Sequence, residues 1–358
     1  MKRIIYTLSA FLLIFWSCDT VVNPPSDFPH EWKTSSPEAQ GLNSRILNQA
    51  FREARQRGCI NCILVVRNGY LVAEQYFNGY HKNNAHRVMS VSKSFLSALI
   101  GIAFRENLLD SLEQKMLDFF PEYVTPNLDQ RKRDISIRHP LTMKAGIDHE
   151  QNNYFEIYTS ANWIETTIEL PLLSDPGERF RYNTFQTHLL SGILTKASAM
   201  STLAFANTNL MEPLGITVQA WERDPQGIYF GGNGMEFTAR DMAWFGWLYL
   251  NNGCLDGEQI VPAEWVEASL TNHTGWQNLT WGELHDYNYG YLWWLGKIKE
   301  YEIFLALGHG GQTIIIFPDL NMIVVTTAQS YVDWDTADAQ ERSVLDVVAN
   351  FILPSVVR

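Results

Sequence analysis

Residues 86–101 read HRVMSVSKSFLSALIG, and a single lysine, Lys93, opens a stretch that otherwise has the residues of a buried helix. After Lys93, apolar side chains recur at helical spacing, and small residues between them allow close packing. A helix that starts at Ser90 is stabilised by an acidic or amide side chain three residues later, whereas Lys93 brings positive charge to the positive end of the helix dipole. The position of Lys93 therefore indicates a chemical role.

Ser90 and Lys93 are three positions apart, so a helix places their side chains on one face. A serine hydroxyl is a weak nucleophile until a base removes its proton, and a lysine can act as that base only where its pKa falls toward neutrality. The apolar residues after Lys93 supply burial, which has this effect. Neither Ser92 nor Ser94 has a lysine three residues later. A lone S-x-x-K motif is common by chance, so it needs support from other segments.

The composition describes an acidic, globular protein. The chain has 358 residues, 46% of them apolar and 18% charged, and this length favours two lobes or one elaborated domain. Acidic residues outnumber basic ones by 39 to 27, and the longest basic run is Arg131-Lys132-Arg133, so we expect no nucleic-acid partner. No spacing of cysteines and histidines is typical of a zinc site. We expect neither a metal nor a cofactor.

The N-terminus has the features of an export signal. MKRIIYTLSAFLLIFWSC combines a basic start with an apolar stretch too short to cross a bilayer comfortably, and a small residue precedes Cys18. We predict a lipoprotein-type signal peptide over residues 1–17, lipidation of Cys18 and a linker over residues 18–31, with plain secretion as the alternative. The remaining domain, residues 32–358, would then be anchored to a membrane in the cell envelope or periplasm.

Cys59 and Cys62 have the spacing of a redox motif, but that chemistry needs the first thiol at a helix N-terminus. Here the sequence continues as a strand, so we expect either small buried residues or a local disulfide.

Secondary-structure patterns divide the chain into three blocks. Residues 45–57 predict an amphipathic helix, and residues 63–77 predict two strands joined by an Asn68-Gly69 turn. Residues 90 to about 270 are mostly helical or looped, and four strands and a closing helix over about 339–352 follow. The four strands read YGYLWWLG, YEIFLALG, GQTIIIFP and NMIVVTTAQS. We predict an α/β fold: an antiparallel sheet from both chain ends, flanked by terminal helices, with a mostly helical inserted lobe and an active site between them.

Two further segments accompany the motif at Ser90. Residues 176–184 read PGERFRYNT and lead into HLLSG, and residues 308–312 read GHGGQ before a predicted strand. In this order and spacing, the three segments resemble the motifs of the serine β-lactamase and penicillin-binding-protein superfamily. The closer match is its class C-like branch of esterases, D-peptidases and amide hydrolases, including 6-aminohexanoate-oligomer hydrolases. The resemblance runs from about Trp32 to the C-terminus.

The resemblance implies a role for each motif residue. Ser90 would be the acylated nucleophile, Lys93 its proton acceptor, and Tyr182 the group that passes a proton to the leaving group. His309, Gly310 and Gly311 would take the place of the lysine-threonine-glycine motif on a strand that faces the cleft. The backbone amides of Gln312 and Ser90 would form the oxyanion hole.

Two residues depart from the family pattern. Thr184 stands where the tyrosine motif most often has an asparagine that orients the substrate. His309 and Gly310 replace the lysine and threonine that help true β-lactamases hold the carboxylate of the antibiotic, and histidine is a poorer carboxylate anchor. Both departures argue against β-lactam hydrolysis, whereas neither removes a residue that acyl transfer requires.

An aromatic cluster precedes the third motif. Each of its rings can be explained by packing between the lobes, although together they could line an apolar acyl or aryl pocket. The cluster comprises Trp276, Trp281, Tyr287, Tyr289, Tyr291, Trp293 and Trp294.

We therefore predict an exported serine hydrolase that cleaves a small ester, amide or peptide through an acyl-enzyme on Ser90. The alternatives are a D-amino-acid peptidase or β-lactamase and, from another class, a catalytically silent envelope-binding module. Retention of Ser90, Lys93 and Tyr182 together argues against the silent module.

Overall fold

The computed structural model describes residues 31–357. The predicted signal peptide of residues 1–17, Cys18 and the linker up to residue 30 lie outside the described residues.

Within these residues the largest sheet has eight strands. Five further strands form two smaller sheets, so the described residues contain thirteen strands in all. In chain order they are β1 (Ile60–Arg67), β2 (Tyr70–Tyr76), β3 (His86–Arg87), β4 (Ala220–Trp221), β5 (Met235–Phe237), β6 (Cys254–Leu255), β7 (Glu258–Gln259), β8 (Thr280–Trp281), β9 (Leu284–Tyr289), β10 (Trp294–Ile298), β11 (Tyr301–Gly308), β12 (Gln312–Phe317) and β13 (Met322–Ala328). The order in the large sheet is β2-β1-β13-β12-β11-β10-β9-β8, and neighbouring strands are antiparallel. The N-terminal hairpin therefore pairs directly with the last strand of the chain.

Helices cover both faces of this sheet. They are α1 (Ser44–Arg57), α2 (Val91–Arg105), α3 (Met116–Phe119), α4 (Arg138–Leu141), α5 (Glu150–Tyr158), α6 (Trp163–Glu169), α7 (Thr184–Ser198), α8 (Thr202–Ala206), α9 (Glu212–Leu214), α10 (Ala239–Leu250), α11 (Ala263–Ser269) and α12 (Trp334–Val347). The terminal helices α1 and α12 pack on one face, and α2 to α11 form the inserted helical lobe on the other. The predicted fold class is confirmed.

Alternation along the strands creates the two cores. Ile314 and Ile316 on β12 point toward the helical lobe, whereas Ile315 and Phe317 point toward α1 and α12. This period of two is what a strand buried on both faces requires. The hairpin turn also follows the prediction, because Asn68 and Gly69 both have positive φ, 52° and 80°.

Two predicted elements differ from the structure. The closing helix begins at Trp334 rather than at about 339. The predicted strand YGYLWWLG is interrupted, because residues 290–293 connect β9 to β10. In this connection the amide of Tyr291 donates to the carbonyl of Ser269 at 3.1 Å and that of Leu292 to the carbonyl of Leu141 at 3.1 Å. The backbone here hydrogen-bonds to the helical lobe instead of a neighbouring strand.

Helix α2 passes through the centre of the molecule. Every residue from Val91 to Ala103 is buried, so the helix is enclosed on all sides. Lys93 is 1% exposed within it.

Cys59 and Cys62 are free thiols, and burial raises the pKa of the Cys62 thiol on β1. Cys59 and Cys62 are therefore not joined in a disulfide, and Cys62 is a buried side chain of the sheet.

For residues 31–357, no single helix has both the length and the hydropathy for a membrane crossing. The bent pair Thr184–Ser198 and Thr202–Leu214, at 78°, meets those criteria only when its two parts are counted together.

Candidate active site

Ser90 lies immediately before α2, at the boundary between the sheet and the helical lobe. Met89 has a positive φ of 51°, and this sharp turn delivers Ser90 to the helix N-terminus. The Ser90 side chain makes no capping hydrogen bond to the helix; its Oγ instead lies 2.8 Å from Lys93 Nζ. The serine is therefore available for chemistry at the position where a helix cap would normally be used.

Lys93 Nζ has three oxygen neighbours, which match the three protons of a charged ammonium. It lies 2.8 Å from Ser90 Oγ, 2.9 Å from Thr184 Oγ1 and 2.9 Å from the carbonyl oxygen of Gly232. Burial lowers the pKa of Lys93 to about 8, against the opposing effect of the Glu150 carboxylate. A neutral lysine that can accept the Ser90 proton is therefore accessible close to neutral pH.

Tyr182 completes the contact between the three motif side chains. Lys93 Nζ lies 4.8 Å from the centroid of the Tyr182 ring, and the Ser90 side chain acts on the Tyr182 hydroxyl by opposing the rise of its pKa. Burial raises the pKa of Tyr182 well above its usual value, and Tyr289 and Glu150 add to the rise. Tyr182 is therefore a neutral phenol that can donate a proton. Trp294 stacks on its ring at 6.0 Å and fixes its plane.

Thr184 is buried beside Lys93, and its hydroxyl is used within the site. Thr184 Oγ1 accepts from Lys93 Nζ and donates to the carboxylate of Glu150. The Thr184 amide donates to the same Glu150 oxygen at 2.8 Å. The structure thus places Thr184 in the cleft wall, with its hydroxyl in contact with both Lys93 and Glu150, and its predicted role in substrate binding stays a prediction.

The loop between β4 and β5 supplies the third acceptor of Lys93. It is anchored by a fully buried pair, in which His188 Nε2 lies 3.0 Å from Asp224 Oδ2. His188 Nδ1 accepts from the Gly231 amide at 3.3 Å, so the ring proton is on Nε2 and is donated to Asp224. A Cβ on Gly232 would lie 2.3 Å from Thr187 Oγ1, so only glycine lets this loop approach α7 and present its carbonyl.

The turn at residues 308–312 lies against the segment that precedes Ser90. A Cβ on Gly308 would lie 2.2 Å from the carbonyl oxygen of Val88, which shows how closely β11 approaches that segment. Gly310 and Gly311 have φ of 83° and 103°, and a Cβ on Gly310 would lie 2.3 Å from the Gln329 carbonyl oxygen. The backbone geometry of the turn itself therefore requires both glycines.

His309 and Gln312 differ in their relation to the cleft. His309 lines it, and its Nε2 donates to the Val332 carbonyl at 2.8 Å. The Gln312 side chain is turned away from the cleft: its Oε1 accepts from the Ala328 amide at 3.0 Å, and its Nε2 donates to the Ala328 carbonyl at 3.0 Å. The part of Gln312 that could serve the site is its backbone amide, opposite Gly308 in the sheet.

Glu341 on α12 stands behind the same turn. Its Oε1 accepts from the Gly310 amide at 2.9 Å, and burial raises the pKa of its carboxyl to about 7. Glu341 lines the cleft and acts electrostatically on Tyr182. A carboxyl group is therefore present at the place where the resemblance implies a carboxylate-binding site in true β-lactamases.

These residues surround one cavity of about 770 Å³ between the two lobes. Ser90, Tyr182, Thr184, His309, Glu150 and Glu341 contribute to its wall, with aromatic lining from Tyr154, Phe155, Phe180, Trp294 and Trp334. Of the seven aromatic residues in the cluster before the third motif, only Trp294 is part of this lining in the described chain. Residues 31–357 contain no group of three or more His, Cys, Asp or Glu side chains placed to hold a metal ion.

Sequence reasoning missed Glu150, Gly232 and Glu341. Glu150 lies in DHEQNNYFE, where nothing in the spacing indicates that it reaches Thr184. Gly232 contributes a backbone carbonyl, which no side-chain pattern reveals. Glu341 occupies a position that the sequence pattern of the closing helix predicts to face solvent, where an acidic residue is common.

The fold and this site define a serine hydrolase of the β-lactamase kind. The model of the family described as Beta-lactamase matches residues 47–349, and the chain belongs to that family.

Among its relatives, the 6-aminohexanoate-dimer hydrolase of Paenarthrobacter ureafaciens is 26% identical over 303 residues, which cover 78% of this chain and 74% of the relative. A Bacillus anthracis structure provisionally named a 6-aminohexanoate-dimer hydrolase superposes with a TM-score of 0.71 at 23% identity, covering 93% of this chain and 88% of that one. A D-stereospecific amidohydrolase from a Streptomyces species superposes with a TM-score of 0.63 at 15% identity, covering 84% and 97%. The two structural similarities show the shared fold.

Proposed function

We propose that this protein hydrolyses an ester or amide through an acyl-enzyme on Ser90. The observation that carries the proposal is the contact of Ser90 Oγ with a fully buried Lys93 at 2.8 Å, in a cavity that a substrate can enter. The 26% sequence identity to a 6-aminohexanoate-dimer hydrolase favours small amides or short amide-linked oligomers among the possible substrates.

Acylation follows from the charge states of the site. Neutral Lys93 takes the Ser90 proton while Oγ bonds to the substrate carbonyl carbon, and the amides of Ser90 and Gln312 receive the negative charge on oxygen. As the bond to the leaving group breaks, Tyr182 gives its proton to that group and recovers one from Lys93. The acyl-enzyme and the protonated leaving group are the products of this half-reaction.

Deacylation uses the same groups in reverse. A water molecule attacks the acyl carbonyl, and its proton passes to the Tyr182–Lys93 pair as the bond to Ser90 Oγ breaks. Lys93 returns a proton to Ser90, and the acid product leaves. The site is thus restored without a further reagent.

The test is turnover of a small substrate panel by wild type and Ser90→Ala. The panel comprises p-nitrophenyl esters, a 6-aminohexanoate dimer, a chromogenic cephalosporin and D-alanyl peptides. We expect turnover of an ester or amide that Ser90→Ala abolishes, together with labelling of Ser90 by a fluorophosphonate probe. The cephalosporin and the peptides should react poorly, because Glu341 would repel a carboxylate close to the scissile bond. In the 6-aminohexanoate dimer a methylene chain separates the carboxylate from that bond. Absence of both labelling and turnover would refute the proposal.

We further propose that the protein works in the cell envelope, attached to a membrane through a lipid on Cys18. The supports are the basic and apolar N-terminal segment and the small residue before Cys18. In cells fed a labelled fatty acid, the wild-type chain should carry the label and fractionate with membranes, whereas Cys18→Ala should not. An unlabelled wild-type chain would exclude the anchor and leave the catalytic proposal untouched.

A further inference from the structure

Glu150 is a buried carboxylate, 4% exposed, at the first position of α5, and it binds the segment that carries the tyrosine motif. The Glu150 amide donates to the carbonyl of Tyr182 at 3.1 Å. Its Oε2 accepts from the Thr184 amide at 2.8 Å and also from the Thr184 hydroxyl. Three hydrogen bonds therefore join one residue to both Tyr182 and Thr184.

These bonds determine what the Thr184 hydroxyl can do. A threonine hydroxyl has one proton, and at Thr184 that proton goes to the Glu150 carboxylate, which can only accept. The oxygen of Thr184 is therefore left as an acceptor, and it receives a proton from Lys93 Nζ at 2.9 Å. The chain of contacts runs from Glu150 through Thr184 to Lys93 and then to Ser90.

We propose that Glu150 is a positioning residue of this active site, which fixes Thr184 as an acceptor for Lys93 and holds a negative charge close to that lysine. The inference rests on the proposed function, because it concerns how the base of that reaction is prepared. It also fits the threonine in the tyrosine motif: with its proton directed to Glu150, the Thr184 hydroxyl turns its lone pairs to Lys93, as an asparagine oxygen would.

The charge of Glu150 has its own consequence. Burial lowers the pKa of Lys93 to about 8, and the Glu150 carboxylate acts in the opposite direction. Burial raises the pKa values of two other titratable groups around the site, Tyr182 just before α7 and Tyr289 on β9, and Glu341 on α12 acts on Tyr182. His149, Arg181 and His309 also line the cavity. Because the Glu150 carboxylate raises the pKa of Lys93, its removal should lower the pKa of that lysine further.

The experiment measures kcat/KM for a p-nitrophenyl ester, and the rate of Ser90 labelling by a fluorophosphonate, across pH 5 to 10. Glu150→Gln keeps an oxygen that can accept from Thr184 but removes the charge. Since Lys93 must be neutral to accept the Ser90 proton, we expect the acid limb of both profiles to move to lower pH. Glu156→Gln, on the exposed side of the same helix, is the matched control and should keep the wild-type profile.

Thr184 gives a second, independent pair of variants. Thr184→Val removes the acceptor for Lys93, and we expect the maximal rate to fall about 10²-fold, the usual effect of a misplaced catalytic group. Thr184→Ser keeps the hydroxyl and should stay within a few-fold of wild type. This pair tests the contact between Thr184 and Lys93 through which Glu150 is proposed to act, even if Glu150→Gln does not fold.

An acid limb in Glu150→Gln that is unchanged, or that moves to higher pH, would overturn the inference, as would wild-type rates in Thr184→Val. A wild-type protein that neither turns over an ester nor labels at Ser90 is a different result, because it refutes the proposed function itself.

Discussion

Burial of Lys93 couples the chemistry of the site to the stability of the fold. Its pKa is about 8 in the folded protein, whereas a lysine in an unfolded chain titrates near 10.4. Between these values the unfolded chain binds more protons, so folding stability rises as the pH increases from 8 to 10.4. Below pH 8 the charged Lys93 destabilises the folded protein by its full amount, about 3 kcal/mol, which corresponds to the difference of about 2 units between the two pKa values.

Lys93→Met should therefore change activity and stability in different ways. Without its base, the variant should be acylated at least about 10²-fold more slowly. The difference in free energy of unfolding between the variant and wild type should favour the variant most near pH 7. This advantage should shrink by about 3 kcal/mol toward pH 10. Urea titrations at both pH values measure this difference. Lys297→Met, at a partly exposed lysine on β10, should show no such trend. A pH-independent difference for Lys93→Met would show that Lys93 is not buried in the charged state.

Glu341 should govern which substrate charges the cleft accepts. Above pH 7 the carboxyl is mostly ionised and should repel a carboxylate on the substrate; below pH 7 it is mostly protonated and the repulsion should fade. Glu341→Gln keeps an acceptor for the Gly310 amide and removes the charge. We expect the preference for p-nitrophenyl butanoate over its ω-carboxylate analogue to fall about fivefold at pH 8, a change of about 1 kcal/mol.

The exposed Glu258 on β7 provides the control for this experiment, because its conversion to glutamine removes the same charge away from the cleft. If Glu341→Gln and Glu258→Gln discriminate equally between the two esters, Glu341 does not face the bound substrate.

At the scale of the elements, the loop from β4 to β5 depends on the buried His188–Asp224 pair. Asp224 Oδ1 accepts from the amides of Gln226 and Ile228 at 2.9 and 2.8 Å, while Oδ2 receives the His188 proton. One carboxylate thus fixes the loop that presents the Gly232 carbonyl to Lys93.

Asp224→Ala would leave the His188 ring and two loop amides without this partner. A buried donor that loses its acceptor costs about 1–3 kcal/mol, so we expect a loss of at least about 2 kcal/mol in the free energy of unfolding, with reduced turnover. Asp175→Ala removes an exposed ion pair with Arg131 and should cost at most about 1 kcal/mol. Urea unfolding compares the two variants, and equal losses would rule out a special role for the buried pair.

The elements that sequence predicted best are those with a local signal. The Asn68-Gly69 turn fixed the first hairpin, and YEIFLALG coincides with β11 because its ends are bounded by turn residues. The connection at residues 290–293 could not be predicted, since its amides hydrogen-bond to Leu141 and Ser269 in the helical lobe. In the site, Ser90 and Lys93 share one turn of helix and were visible, whereas Glu150 reaches Thr184 only through the tertiary fold.

For the whole molecule, both chain ends complete the sheet. Strand β1 lies beside β13, and α1 and α12 together cover the face formed by Ile315, Phe317 and Val324. The start of the described chain is also packed, because Trp32 stacks on Trp244 with ring centroids 4.0 Å apart. The inserted lobe carries Lys93, Tyr182 and Glu150, whereas the turn with His309 and the helix with Glu341 belong to the C-terminal part of the sheet region, so the complete site forms only when that part of the chain has joined the lobe.

This arrangement predicts opposite results for truncation at the two ends. A chain that starts at Glu31 keeps the Trp32–Trp244 contact and should retain the urea midpoint and turnover of the longer protein. A chain that ends at Gln329 lacks α12 and would expose a continuous apolar face of the sheet, together with the back of the His309 turn. We expect this second chain to bind a hydrophobic dye and to lose its cooperative unfolding transition, as measured by fluorescence and circular dichroism. Cooperative unfolding of the chain that ends at Gln329 would mean that the helical lobe and the remaining sheet form a core of their own.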